Sequence, residues 1–168
     1  VSSAQPRDTM AAPLATEVLL RPGTITDLPF FLKGVWDVYE IEGETHRYNE
    51  EDEAALAKSR LENNGVLIAT HNDVPVGLVS FCFSSVTPFG VDYGAWSPYA
   101  WISFAYTIPE WRRRGVSKKL YSEVERIALE KGVKEIQLDV FSVNEGSDLF
   151  HRKLGYRPYV TLYTKSLE

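Results

Sequence analysis

Cysteine is nearly absent. Cys82 is the only one among 168 residues, so no internal disulfide can form and no Cys/His set is available for structural zinc. Cys82 alternates with apolar neighbours along a predicted strand, which reads as core rather than nucleophile. Histidine occurs three times and methionine once, at Met10. His46 and His71 fall in predicted loops without partners at ligand spacing, and no metal is expected. No apolar run approaches the roughly 18 residues a membrane span requires, and residues 1–16 lack the apolar core of a secretory signal. A reducing, cytoplasmic setting is therefore the expectation, without a membrane partner. The 11 glycines and 9 prolines are scattered, which excludes collagen-like and low-complexity chains. Gly-x-x-x-x-Gly-Lys-Ser/Thr and Gly-x-Gly-x-x-Gly are both missing, which argues against a Walker loop or a Rossmann fingerprint.

What is present suits one compact α/β domain: 44% hydrophobic and 24% charged residues in 19.0 kDa. Residues 1–16 read as an N-terminal arm, with 1–9 either a tag remnant or a natural polar extension, and 17–168 as a single domain. The net charge of −5 argues against a nucleic-acid partner. Its distribution is uneven. Residues 37–63 carry nine acids against Arg47, Lys58 and Arg60, whereas residues 111–119 carry Arg112, Arg113, Arg114, Lys118 and Lys119 and no acid. Two solvated faces would explain this, and so would two ligands of opposite charge.

The hydrophobic pattern predicts the order β α α β β β α β α β. Glu17–Arg21 reads as a strand. Thr26 caps a helix with Pro29 in its first turn and Leu28, Phe31, Leu32, Val35 and Val38 at helical spacing. Asn49 opens a second helix, with Asp52 at the capping-box position and Gly65 as its stop. Strands 66–70 and 76–86 flank the turn His71-Asn72-Asp73 and should pair as an antiparallel hairpin. Residues 87–99 form an aromatic loop, 100–108 a strand stopped by Pro109, and 115–131 a helix. Lys134–Val140 is a strand, Glu145–Leu154 a short helix ended by Gly155, and Tyr156–Lys165 a final strand.

The segment Ile108-Pro109-Glu110-Trp111-Arg112-Arg113-Arg114-Gly115-Val116-Ser117-Lys118-Lys119 joins a strand to a helix. Helix N-termini expose free N–H groups and the positive end of the macrodipole, where acids are favoured and cations are not. A polyanion seated on those N–H groups would reverse the sign, and Gly115 would let it approach the backbone. The pyrophosphate of a nucleotide-like cofactor suits such a loop; solvated basic side chains are the plainer alternative.

Arg112-x-x-Gly115-x-Ser117 after this strand resembles the acetyl-CoA loop of the GNAT superfamily of N-acetyltransferases. Asn144-Glu145-Gly146-Ser147-Asp148-Leu149-Phe150-His151-Arg152-Lys153-Leu154-Gly155-Tyr156 resembles the superfamily's second motif, at the usual separation. With the element order, the resemblance covers about residues 17–165. It implies an α/β (α+β) fold: a mixed, mostly antiparallel sheet splayed between strands 100–108 and 134–140, with helices on both faces. Acetyl-CoA would lie in the splay as co-substrate, its pantetheine pairing with backbone near Ala105, Tyr106, Thr107 and Ile108. Residues Arg112, Arg113, Arg114, Gly115, Val116, Ser117 and Lys118 would hold the pyrophosphate, Asn144 would hydrogen-bond the pantetheine or hold the splay open, and Phe150 would contact the cofactor. Asn144 equally serves as a plain N-cap. Ser117 stands where the family prefers Gly or Ala. His151 stands where many members carry a tyrosine that protonates the departing thiolate, and an imidazolium could take that role; an ordinary helix-surface histidine is the alternative.

The acceptor side in this superfamily is built from the first two helices and the loops before the central strand. Here that implies Trp36, Tyr39, Glu40, Glu42 and Glu44, with Phe89, Tyr93, Trp96, Tyr99 and Trp101. Acids beside aromatic rings attract a cationic amine, although Tyr39 and the other aromatics fit a core or a dimer contact as well. Glu40 and Glu44 are the candidate bases, with Asp139 more distant. Val38-Tyr39-Glu40-Ile41-Glu42 is similar to a segment of diamine and thialysine acetyltransferases, but Ser103 and Phe104 stand where those enzymes have adjacent acids. The resemblance thus implies an N-acetyltransferase moving acetyl from acetyl-CoA to a primary amine of a small molecule by direct transfer in a ternary complex. A peptide acceptor, or a CoA-binding regulatory module without turnover, is the alternative; a homodimer is compatible with either.

Overall fold

The computed structural model describes residues 17–84, 98–165 and 167. Strands β1 (Leu19–Pro22), β2 (Val66–His71), β3 (Val74–Ser84), β4 (Tyr99–Thr107) and β5 (Ile136–Leu138) form one sheet in chain order. The pairings from β1 to β4 are antiparallel and β4–β5 is parallel, the mixed, mostly antiparallel arrangement expected above. Helices α1 (Leu28–Glu42), α2 (Glu50–Glu62), α3 (Val116–Glu130) and α4 (Glu145–Lys153) complete the fold.

Period-two alternation sorts the sheet's side chains onto two covered faces. Val66 and Ile68 of β2 and Leu78 of β3 pack with Phe31 and Val35 of α1 and Ala57 and Leu61 of α2. Their neighbours Leu67, Ala69, Val79 and Phe81 pack with Val116, Leu120 and Val124 of α3. Because both faces are buried, β2 reads as an unbroken apolar run rather than an alternating one. Asn72 and Asp73 join β2 to β3 with φ of 49° and 63°, the pair of left-handed residues a two-residue hairpin turn requires. Where α1 begins, Asp27 receives both terminal nitrogens of Arg21 at 2.7 Å and the Thr24 N–H at 2.8 Å, which ties the end of β1 to the first turn of the helix.

Two departures from regularity shape the centre. Ser80 pairs with Phe104 and Phe81 with Ile102, so Ser103 is an extra residue, a bulge whose hydroxyl donates to the Ser80 carbonyl at 3.3 Å. Past it, β4 runs on to Thr107, while its pairing with β5 ends at Ile102 opposite Leu138. The strands therefore part, and one edge of β4 has no β5 partner from residue 103 onward. The strand expected over 134–140 is accordingly only three residues long, because its chain leaves the sheet to open the splay.

The final strand expected over 156–165 is not formed. That segment carries no strand, and from Arg157 to Lys165 its side chains are exposed. Alternating Tyr159, Thr161 and Tyr163 mark a strand former, but a strand is assigned only through its ladder, and the sheet of the described residues, β1 to β5, does not extend to this segment.

Candidate active site

The loop after β4 is built around Trp111. A short 3-10 turn, Pro109–Trp111, follows the strand; the Trp111 N–H donates to the Ile108 carbonyl at 2.9 Å, and the indole is only 8% exposed. Arg113 and Gly115 then take φ of 59° and 84°. Left-handed residues alternating with ordinary ones turn successive N–H groups into one concavity, a nest for an anion. Gly115 adopts this conformation without a Cβ penalty, and the first turn of α3 that follows contains no acid. Behind the loop, a Cβ at Gly77 would lie 2.9 Å from Val116 Cγ1 and 3.1 Å from the Tyr106 carbonyl, so the start of α3 sits directly against β3. The Thr107 and Ser117 hydroxyls, 2.9 Å apart, lock the same junction from the side of β4.

Basic side chains flank this nest. Arg112 Nε donates to the Thr107 carbonyl at 3.1 Å. The Arg114 guanidinium lies over the Trp111 ring, 5.5 Å from its centroid. Arg113 and Lys118 are exposed. Lys119 differs from the other bases: its ammonium donates to the Val18 carbonyl, turning it toward the start of β1. Free helix amides, several cations and no nearby first-turn carboxylate fit a pyrophosphate. On β4, the Tyr106 hydroxyl donates to Asp37, leaving its backbone as what it offers the splay. The Ile108 N–H is already engaged, donating to the Val76 carbonyl at 3.0 Å.

The second motif closes the other side. The Asn144 side-chain oxygen accepts from the Ser147 N–H at 3.2 Å, capping α4, while its amide nitrogen donates to Glu42 Oε1 at 3.4 Å. One side chain thus does the cap's work and bridges α4 to the end of α1. Phe150 and His151 turn toward α3 rather than the splay: the Phe150 ring meets Tyr121 edge-on at 5.4 Å. His151 is 8% exposed. Its Nδ1 lies 2.7 Å from the Ser147 carbonyl, and since a carbonyl only accepts, Nδ1 carries the hydrogen. Nε2, 2.8 Å away, accepts from the Tyr121 hydroxyl. Burial lowers the imidazole's pKa below its ordinary 6.5. His151 is therefore a neutral, fully engaged core group, not a helix-surface residue.

Along α1 a cavity of about 420 Å³ is lined by Asp37, Glu40, Ile41, Pro109 and Arg112. Burial works to raise the Asp37 carboxyl, but hydrogen bonds from Lys33 (2.6 Å) and Tyr106 outweigh it and hold it below the usual range. Asp37 and its link to Tyr106 escaped the sequence: Lys33 and Asp37 read as a surface pair one helical turn apart, and the strand partner lies 69 residues away. Glu44 is ion-paired with Arg47 at 3.1 Å. Burial, with Asp139 nearby, raises Glu42, and burial raises Asp139 itself.

The aromatic candidates divide. Trp36 (39% exposed) and Tyr39 both meet Tyr48 edge-on, at 5.0 and 5.6 Å. The Tyr39 hydroxyl donates to Glu53 at 2.8 Å, and burial plus that carboxylate push it up to about 12. Both rings pack α1 onto Tyr48, just before α2, and the Tyr39 hydroxyl reaches α2 itself. Tyr99 is 1% exposed, its ring buried at the start of β4. Trp96, Phe89 and Tyr93 lie outside the described residues.

Residues 35–156 match the Acetyltransferase (GNAT) family. Over 60 residues, 36% of this chain and 41% of the relative, the sequence is 33% identical to an aminoglycoside N(6')-acetyltransferase type 1 of Salmonella typhimurium; the match spans less than half that relative's length. Among solved structures, the aminoglycoside N-acetyltransferase AAC(6')-Iy in complex with CoA superposes with a TM-score of 0.69 at 22% identity, covering 88% of this chain and 94% of that one. The BH1408 protein of Bacillus halodurans, as a tetramutant, gives 0.76 at 15% identity, covering 89% and 99%. An aminoglycoside acetyltransferase, meta-AAC0020, from an uncultured soil sample in complex with sisomicin gives 0.65 at 21%, covering 91% and 98%. At these identities the solved structures establish a shared fold.

Proposed function

The chain belongs to the acetyltransferase (GNAT) family, and on that premise we propose that it transfers acetyl from acetyl-CoA directly to a primary amine of a small polyamino molecule. The observation that carries the reading is the nest at Arg113–Gly115 with its cations, set beside the splay that starts after Ile102. The relative and two of the neighbours bear the name aminoglycoside acetyltransferase, which supports an amino sugar as the acceptor class.

In this reading the amine lone pair forms a C–N bond to the thioester carbonyl carbon as the C–S bond breaks. The sulfur keeps the bonding pair and takes up a proton, and the amine gives one up. The loop amides and Arg112, Arg113, Arg114 and Lys118 bind the pyrophosphate; the free edge of β4 orients the acyl arm and offers N–H groups to the carbonyl oxygen. Glu40, exposed on the cavity along α1, and Glu42, bridged to Asn144, attract the acceptor's ammonium and take its proton. Glu44 is occupied by Arg47 and serves at most to shape the field. His151 anchors α4 instead of acting as a proton donor. A cytoplasmic setting belongs to the same reading; no described helix is long and apolar enough to cross a membrane. The exposure of Leu162 (84%) and Tyr163 (89%) supports association of two copies through the C-terminal segment.

Calorimetric titration with acetyl-CoA tests the cofactor half: micromolar binding that Gly115→Asp weakens at least tenfold is expected, and no binding by the parent chain would overturn the reading. Thiol release across a panel of amino sugars, diamines and peptides then tests the acceptor. Turnover on amino sugars is the expected outcome; turnover on peptides alone would move the chain to protein acetylation, and binding with no turnover would make it a CoA-sensing module.

A further inference from the structure

We infer that Trp111 is a positioning residue for Arg114, holding the guanidinium at the mouth of the phosphate loop before any ligand arrives. The inference rests on the proposed pyrophosphate site and specifies how one of its cations is prepared. Arginine has one of the largest side-chain entropies to lose on being ordered, and a loop of exposed arginines spends part of its binding energy on that ordering. The three consecutive arginines differ in this respect. Arg112 is tethered by its Nε to the Thr107 carbonyl. Arg113 is exposed on left-handed backbone. Arg114 is half-buried, its planar head 5.5 Å from the centroid of the indole, where the cation–π attraction holds it while leaving its N–H fork available to an anion.

The platform is itself fixed. Trp111 is part of the core cluster with Val76 and Val116, and its backbone N–H is bonded within the turn. The His71 ring packs on it at 4.8 Å, tilted by 48°, and His71 Nε2 lies 3.5 Å from Glu17 Oε2. The turn between β2 and β3 thereby braces the indole, and the indole braces the arginine. A tryptophan that merely filled the core would be indifferent to the residue three positions on; a platform would not.

A double-mutant cycle on the full chain, titrated with CoA by calorimetry at low salt, separates the two. Arg114→Ala should weaken CoA binding about tenfold and Trp111→Leu about fivefold, while the double variant binds no more weakly than Arg114→Ala alone. Trp111→Phe, retaining a smaller ring face, should fall between the parent and Trp111→Leu. If Trp111→Leu fails to fold in a thermal melt, Trp111→Phe made in the parent chain and in the Arg114→Ala variant completes the same cycle. Losses that multiply in the double variant would overturn the inference, as would CoA binding unchanged by Trp111→Leu; in both cases a weakened Arg114→Ala leaves the phosphate-loop reading standing. Failure of the parent chain to bind CoA would remove that reading and the inference with it.

Discussion

An imidazole buried between a carbonyl and a tyrosine hydroxyl is favoured in its neutral form, and His151 is in that position. Its folded pKa lies below the 6.5 of an exposed histidine, so protonation favours the unfolded chain. The stability it contributes is complete above 6.5 and declines as pH falls from there toward the folded value. His151→Phe should remove that pH dependence and lower stability at neutral pH by about 1–3 kcal/mol, because the Tyr121 hydroxyl loses its buried acceptor. Urea melts of parent and variant on either side of pH 6.5 check both effects; parallel curves would contradict the first, and coincident stabilities at neutral pH the second. At this scale the sequence was only partly legible. Asn144 as a cap follows from local chemistry, but its second bond, to a carboxylate 102 residues earlier, does not. His151 fits the motif's tyrosine position by spacing, and spacing says nothing about which way the side chain turns on a nine-residue helix.

Elements were legible where a stop or start signal is local. Asn49 caps α2, accepting from the Glu51 and Asp52 N–H groups at 3.0 and 3.2 Å, and the Asn72-Asp73 turn sets the hairpin. They were illegible where pairing decides: β5 is cut to three residues and 156–165 forms no strand, although both segments have strand composition. The seat of α3 is a further case, for it depends on a glycine in another element. Gly77→Val places methyl groups against Val116 and the Tyr106 carbonyl, 2.9 and 3.1 Å from the new Cβ. Pushing α3 off β3 should cost about 1–3 kcal/mol and weaken CoA binding, since the nest is carried on that helix. Thermal melting and calorimetry together check this, and full binding at reduced stability would show that the nest does not depend on the seat.

For the whole molecule, the charge asymmetry seen in the sequence resolves into places: acids along α1 and α2, bases around the start of α3. The placement of Phe104 on Phe31, ring centroids 5.4 Å apart, shows why composition could not go further, since the contact joins a strand to a helix distant in the chain. If the proposed association of two copies runs through the exposed C-terminal segment, Leu162→Lys should lower the sedimentation coefficient, and an unchanged value would place self-association elsewhere or nowhere. The parting of β4 from β5 has another consequence. Backbone amides of residues 103–107 that point away from β3 face a lane that no strand of the described residues occupies. Such protons trade with deuterated solvent far faster than those inside a ladder. A ligand lying in that lane would slow the trade at those few positions and leave β2 untouched, so deuterium uptake can report that the lane is filled before any acceptor is known.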